Sequence, residues 1–307
     1  MKQYVYGFDV GGTTVKIGLF KVDGSLQEKW EIKTNTTEYG KHILNDIFNA
    51  ISKKGISLDE IAGYGFGVPG PVIQGKVVKC VNLGWEDYDL ESEFASLVGN
   101  AVIRVSNDAN VAALGEAWMG AARGLQNMAM ITLGTGVGGG IIVDSKIVDG
   151  AHGGAGEIGH MIVKHKDGFL CNCGNTGCLE TVASATGIKR LYTQLMIQED
   201  KALDENGPSA KYIVNLARKG DPIALETLEE VTYYLGYACQ VLSVTTNPDV
   251  IVIGGGVSKA GPFLINKIDD NFRKIVFKPV NRTRIVQAQL GNDAGIYGAA
   301  SLALNNG

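Results

Sequence analysis

The amino-acid sequence predicts an α/β fold of two domains built to a similar plan. Two observations predict it. A strand, a glycine-rich turn and a second strand occur near Asp9 and recur near Leu133. Around these hairpins the apolar residues switch between a period of two and the 3.6-residue spacing of amphipathic helices. The recurrence implies a ligand held between the two domains, in an interdomain cleft.

Taken in order, Tyr4–Asp9 and Lys16–Phe20 are apolar, β-prone runs joined by Gly11-Gly12-Thr13-Thr14, which predicts a hairpin. A third strand is expected over Gln27–Lys33. Ile43, Ile47, Phe48 and Ile51 share one face of a helix over Lys41–Lys53. Ile61–Val68 and Val102–Ser106 read as strands, and Asn107 or Asp108 caps an alanine-rich helix over Ala109–Met119. Met128–Leu133 and Val137–Val143 flank Gly134-Thr135-Gly136 as the second hairpin. Helices are expected over Ala183–Leu195, Ala210–Lys219 and Pro222–Val244. A buried strand follows at Val250–Ile253, then a last helix near Ala294–Leu304. The predicted domains are residues 1–118 and 119–293, with the helix in 294–307 packing on the first.

The 307 residues carry 45% apolar and 20% charged side chains, ordinary values for a globular enzyme. A formal charge of −4 lacks the basic footprint of nucleic-acid binding. No apolar run reaches the roughly 18 residues of a membrane span, and the N-terminus is too short and polar for a signal peptide. The expectation is a cytoplasmic protein without nucleic-acid or membrane partners.

Glycine, at 42 residues, concentrates at strand ends. In Asp9-Val10-Gly11-Gly12-Thr13-Thr14-Val15-Lys16, glycines would let main-chain amides approach an anion, while the hydroxyls and Lys16 add donors. A carboxylate such as Asp9 at the strand end can hold magnesium. Leu133–Gly140, with Thr135 and Gly136, repeats this logic. A third glycine cluster, Gly254, Gly255 and Gly256, could take the flat face of a nucleotide base and ribose. None is a Walker loop or a dinucleotide fingerprint, since Gly-Lys-Ser/Thr is missing and a β-like segment, rather than a helix, follows Gly139. Each cluster alone could also be a plain turn.

Of the five cysteines, Cys171, Cys173 and Cys178 crowd together after His160. Three thiolates and one imidazole make a closed structural zinc set with no open position for catalysis. Cys80 and Cys239 are isolated and read as core residues.

These motifs carry a resemblance. The sequence resembles the ROK family of bacterial sugar kinases and repressors over essentially its whole length. The likeness rests on Asp9–Lys16, Asn107-Asp108-Ala109-Asn110, Leu133–Gly140, Glu157-Ile158-Gly159-His160 and Cys171-Asn172-Cys173-Gly174-Asn175-Thr176-Gly177-Cys178-Leu179-Glu180. It implies an actin-like (ribonuclease H-like) ATPase fold whose two domains close on ATP and a hexose. Gly67-Val68-Pro69-Gly70-Pro71 and Asn82-Leu83-Gly84-Trp85 are similar to the glucokinase branch, with N-acetylmannosamine kinases close by.

By this resemblance Asp108 is the general base. The sugar contacts are Gly70, Asn82, Asn107, Asp108, Glu157, His160 and Glu180. Asp9 organises magnesium; Gly11, Gly12, Thr13, Thr14, Lys16, Thr135 and Gly136 meet the phosphates of ATP; and the chain assembles as a homodimer or homotetramer. Repressors of the family carry a DNA-binding segment ahead of the kinase-like region, and Asp9 stands too close to Met1 to leave room for one.

Overall fold

The computed structural model describes residues 2–202 and 207–304. The chain divides into two compact units, Met1–Gly124 with Gly140–Ala155 and Gln289–Gly307, and Leu125–Gly139 with Gly156–Ala288.

In the first unit β1 (Tyr4–Val10), β2 (Thr14–Lys21) and β3 (Leu26–Lys33) form an antiparallel meander. A short turn, α1 (Thr37–Gly40), and helix α2 (Ile43–Ser52) follow. β4 (Ile61–Val68) then pairs parallel to β1. β5 (Val72–Ile73), β6 (Lys76–Cys80) and β7 (Trp85–Tyr88) make a small antiparallel sheet. Helix α3 (Leu90–Val98) leads to β8 (Val102–Asn107), which closes the main sheet in the order β3-β2-β1-β4-β8. Helix α4 (Asp108–Met119) leaves the end of β8.

One face of this sheet carries an aromatic layer: Phe8 stacks on Phe66 at 4.5 Å between centroids, and Phe94 of α3 meets Phe66 edge-on at 4.9 Å. α2 adds Ile43, Ile47 and Ile51, buried at the four-residue spacing its sequence predicts. Burying one such isoleucine contributes about 1.5–3 kcal/mol.

The second unit is built on β9 (Met128–Leu133), after which the glycine turn opens β10 (Val137–Val143). The far half of β10 belongs to the first unit and pairs there with β11 (Lys146–Ile147). Helices α5 (Glu180–Ala183), α6 (Ala185–Gln198), α7 (Ala210–Arg218) and α8 (Pro222–Thr246) follow the cysteine loop. β12 (Val250–Gly254) lies parallel between β9 and β13 (Arg284–Gln287), with α9 (Gly255–Ser258) and α10 (Pro262–Ile275) in the connection. β12 is fully buried, as a parallel strand covered on both faces must be.

The last helix, α11 (Ala294–Leu304), belongs to the first unit and packs Ile296, Ala300 and Ala303 against Val5 and Phe20 of its sheet. The approach is close: a Cβ on Gly65 would lie 1.7 Å from the carbonyl oxygen of Ala299, so only glycine fits. No helix among the described residues is long and apolar enough to cross a membrane.

Three features depart from the expected elements. The helix predicted over Ala183–Leu195 is two helices, broken where the Ser184 side chain accepts from Gly187 N and caps α6. Thr14 and Thr13 flank the first turn differently, since β2 already begins at Thr14. α3, α10, β13 and the small sheet were not anticipated: β13 and the small-sheet strands are too short to show a period, whereas Leu90, Phe94 and Val98 in α3 and Leu264, Ile268 and Phe272 in α10 carry a helical spacing that went unused.

Candidate active site

In the first unit the glycine turn is held by its neighbours. Gly11 N donates to Thr14 O at 3.0 Å, Thr34 Oγ1 donates to Gly11 O at 2.6 Å, and Thr34 N donates to Thr13 O. Gly12 lies beside Asn82, whose Cβ would be 3.4 Å from a side chain there. Asp9 and Lys16 are cross-strand partners; Lys16 Nζ sits 3.1 Å from Asp9 Oδ2 and also donates to Asn292 O at 3.2 Å. The carboxylate has the hard oxygen donors magnesium takes, usually one or two carboxylates beside phosphates and water.

Asn107 is the cap of α4: its Oδ1 accepts from Ala109 N at 2.9 Å, while its Nδ2 donates to Gly70 O at 3.0 Å. Asp108 follows as the first residue of the helix, with an exposed carboxylate that accepts from Ala109 N at 2.8 Å. Burial pushes the Cys80 thiol up, and the Asp108 carboxylate nearby adds to that shift. Gly70, Cys80, Asn107 and Asp108 therefore form one local group of the first unit.

In the second unit His160 directs Nδ1 to Cys171 Sγ at 3.7 Å, while its Nε2 stands 4.0 Å from Glu157 Oε2. Cys173 and Cys178 sulfurs are 3.6 Å apart, and the four ligand atoms all lie within 4.8 Å of one another. A tetrahedral zinc with bonds of about 2.0–2.3 Å has ligand–ligand edges of about 3.5–3.8 Å, so the donor set fits that ion. The loop is preformed by its own backbone: Cys171 N donates to Asn175 O, and Gly177 N to Phe169 O. Burial pushes the Cys178 thiol up to about 12, and the Asn175 amide holds exposed Cys173 below its ordinary value.

Glu180 joins this loop to the second glycine turn. Its Oε2 accepts from Val137 N at 3.0 Å, and its Oε1 lies 3.9 Å from Cys171 Sγ. A Cβ on Gly136 would stand 2.1 Å from Glu180 Oε2, so the glycine makes room for the carboxylate. Thr135 is exposed, and its carbonyl accepts from Thr186 Oγ1 at 3.1 Å.

A cavity of about 700 Å³ opens beside this turn, within the range of cofactor sites. Leu133, Ala185, Val214, Val257 and Ala260 give it apolar walls, and Lys211, Arg218 and Lys259 line it without any acidic residue. An apolar cavity with three cations in its lining, in a chain of net charge −4, suits a nucleotide. Of the three glycines expected at the base, Gly256 lines the cavity; Gly254 pairs with Thr132 inside the sheet, and Gly255 packs on Leu133. The α7 residues Lys211, Asn215 and Arg218 escaped the sequence reading. Their helical spacing on a polar face was the available signal, and it is shared by any solvated helix.

The model of the ROK family matches residues 5–306. The chain belongs to the ROK family. With that membership comes its actin-like α/β fold. Among curated ROK relatives, a glucokinase of Halalkalibacterium halodurans is 42% identical over 98% of this chain and 94% of its own length. A glucokinase of Thermotoga maritima is 34% identical over 98% of this chain and 97% of its own. Among solved structures, a ROK glucokinase from Streptomyces griseus, crystallised with glucose and AMPPNP, superposes with a TM-score of 0.77 at 33% identity, covering 97% of this chain and 98% of that one.

Proposed function

We propose that this ROK protein is a cytoplasmic, ATP-dependent glucokinase that transfers the terminal phosphoryl group of ATP to the 6-hydroxyl of glucose. The observation that carries this reading is the 42% identity to a glucokinase across 98% of the chain. Two features of the molecule support it. The cationic slot of the second unit suits a nucleotide, and Asp108 presents an exposed carboxylate at a helix N-terminus.

The first unit supplies Asp108 as general base, with Gly70, Asn82 and Asn107 as sugar contacts. The second supplies Glu157, His160 and Glu180 as further contacts. As the hydroxyl oxygen attacks the terminal phosphorus, Asp108 takes its proton; the bond to the bridging oxygen breaks and ADP leaves. A carboxylate suffices because the proton moves in concert with attack, and positioning supplies most of the rate in such transfers. Gly11, Gly12, Thr13, Thr14 and Lys16 of the first unit, and Thr135 and Gly136 of the second, would each serve as phosphate contacts. Asp9 would hold magnesium, which neutralises phosphate charge. Zinc, held by His160, Cys171, Cys173 and Cys178, would fix the loop that carries the sugar-contact side chains. If His160 gave Nδ1, the nitrogen nearer Cys171, to such an ion, its Nε2 would stay available to Glu157 or a sugar hydroxyl.

A coupled ADP-release assay over glucose, mannose, fructose, N-acetylglucosamine and N-acetylmannosamine tests the reading. Glucose is expected to give the highest kcat/KM. ATP turnover indifferent to every sugar would sink it, and preference for N-acetylmannosamine would move the chain to the neighbouring branch.

A further inference from the structure

The nucleotide slot of the second unit contains one polar group that phosphates do not call for. Helix α7 turns Lys211, Val214, Asn215 and Arg218 toward the cavity, residues spaced as one helical face. Three of the four have an evident task. Val214 is a buried apolar wall. Arg218 is tied off, its Nη2 donating to Ala260 O on the facing segment and its guanidinium lying over Phe263. Lys211 offers only donors and a charge, which suits an anion. Asn215 is exposed to the cavity and makes no hydrogen bond among the described residues.

The wall formed by Gly256 is bare backbone. A Cβ there would meet nothing within 4 Å, and its φ is not in the left-handed region, so neither packing nor conformation demands glycine. The missing side chain leaves open space, and Gly256 lines the cavity together with Val214, Val257 and Asn215. A carboxamide is the uncharged side-chain group that offers a donor and an acceptor side by side. That is the pattern that matches the edge of adenine, whose exocyclic amine donates and whose adjacent ring nitrogen accepts.

We propose that Asn215 is the residue that recognises the nucleobase, its Oδ1 accepting from the 6-amino group of adenine and its Nδ2 donating to the neighbouring ring nitrogen. The proposal rests on the nucleotide reading of the cavity and goes beyond it by naming what selects the base.

The test is a cycle of two ligands and two proteins, read by calorimetry on the full chain without sugar. ADP is compared with purine riboside diphosphate, which lacks the 6-amino group, on the wild type and on Asn215→Ala. The wild type is expected to bind the analogue roughly fivefold more weakly, the effect of one neutral hydrogen bond. Asn215→Ala, which loses both bonds, binds the two ligands alike, more weakly than the wild type binds the analogue, and with an unchanged melting temperature. Asn215→Leu, which fills the space without polar atoms, levels the two in the same way. A variant that keeps the wild-type preference for ADP, or a wild type that shows no preference, overturns the role of Asn215 and leaves the nucleotide slot standing. A wild type that binds neither ligand overturns the slot itself.

Discussion

Asn107 and Asp108 are adjacent and both polar, yet their positions give them different work. Asn107 spends its side chain on the backbone, taking Ala109 N and reaching Gly70 O. Asp108 carries an exposed carboxylate in the first turn of α4, where it too accepts from Ala109 N. Asp108→Asn keeps shape and polarity but cannot take a proton. Turnover should fall roughly 10²-fold or more while the calorimetric affinity for glucose stays near the wild-type value; normal turnover would remove the base assignment. Glu116 is a residue that sequence reading passed over. It is fully buried in α4, and its carboxylate accepts from Ala121 N at 2.8 Å, Gln289 N at 3.1 Å and Leu290 N at 2.8 Å. Glu116→Gln turns an amide donor toward at least one of these N–H groups. The expected cost is about 1–3 kcal/mol, the penalty of a buried polar group left unpaired, and urea unfolding would show it. An unchanged midpoint would mean the carboxylate is dispensable.

At the scale of elements, the cysteine loop and the second glycine turn act together through Glu180, which touches both. Losing the metal should therefore loosen more than the loop. Cys173→Ser is expected to lower bound zinc from about one ion per chain, as a four-ligand structural site predicts, and to lower the melting temperature with it. A stable, metal-free variant with full activity would argue against a structural ion. The pH dependence follows from the thiols. Burial raises Cys178, so at neutral pH its proton must be displaced when metal binds, and zinc affinity should fall from pH 8 to pH 6. A chelator competition at the two pH values would measure it. The cluster of His160, Cys171, Cys173 and Cys178 was legible in the sequence because three sulfurs and an imidazole in one short stretch leave few readings other than a metal site. The glycine turns were legible as well, since a strand ending in glycines has a recognisable composition. Lys211 and Asn215 were not: their meaning comes from the facing wall at Gly256 and Val257, which is distant in the chain.

At the scale of the whole molecule, the strands and helices with clear periodicity were readable, and the sequence also carried the expectation that the helix in 294–307 packs on the first unit. The first unit takes Gly140–Ala155 as well, and no local pattern marks that return. The seat of the last helix is written in small residues. The sequence Gly63-Tyr64-Gly65-Phe66-Gly67 alternates glycine with aromatics along β4: the aromatics Tyr64 and Phe66 are fully buried with Phe94, and the glycine side admits α11. Gly65 is the tightest contact, with the Ala299 carbonyl standing where a methyl group would go. Gly65→Ala is therefore a one-carbon probe of whether the chain's last helix truly seats on its early sheet. Overpacking of this kind costs about 1–3 kcal/mol when neighbours can shift, and here the obstacle is backbone, which yields less readily than a flexible side chain. A fall in the denaturation midpoint with an unchanged m-value is expected, since the unfolded state gains nothing large from one methyl group. Stability within about 0.5 kcal/mol of the wild type, the range of an uninvolved surface change, would show that α11 is not pressed against β4 in solution.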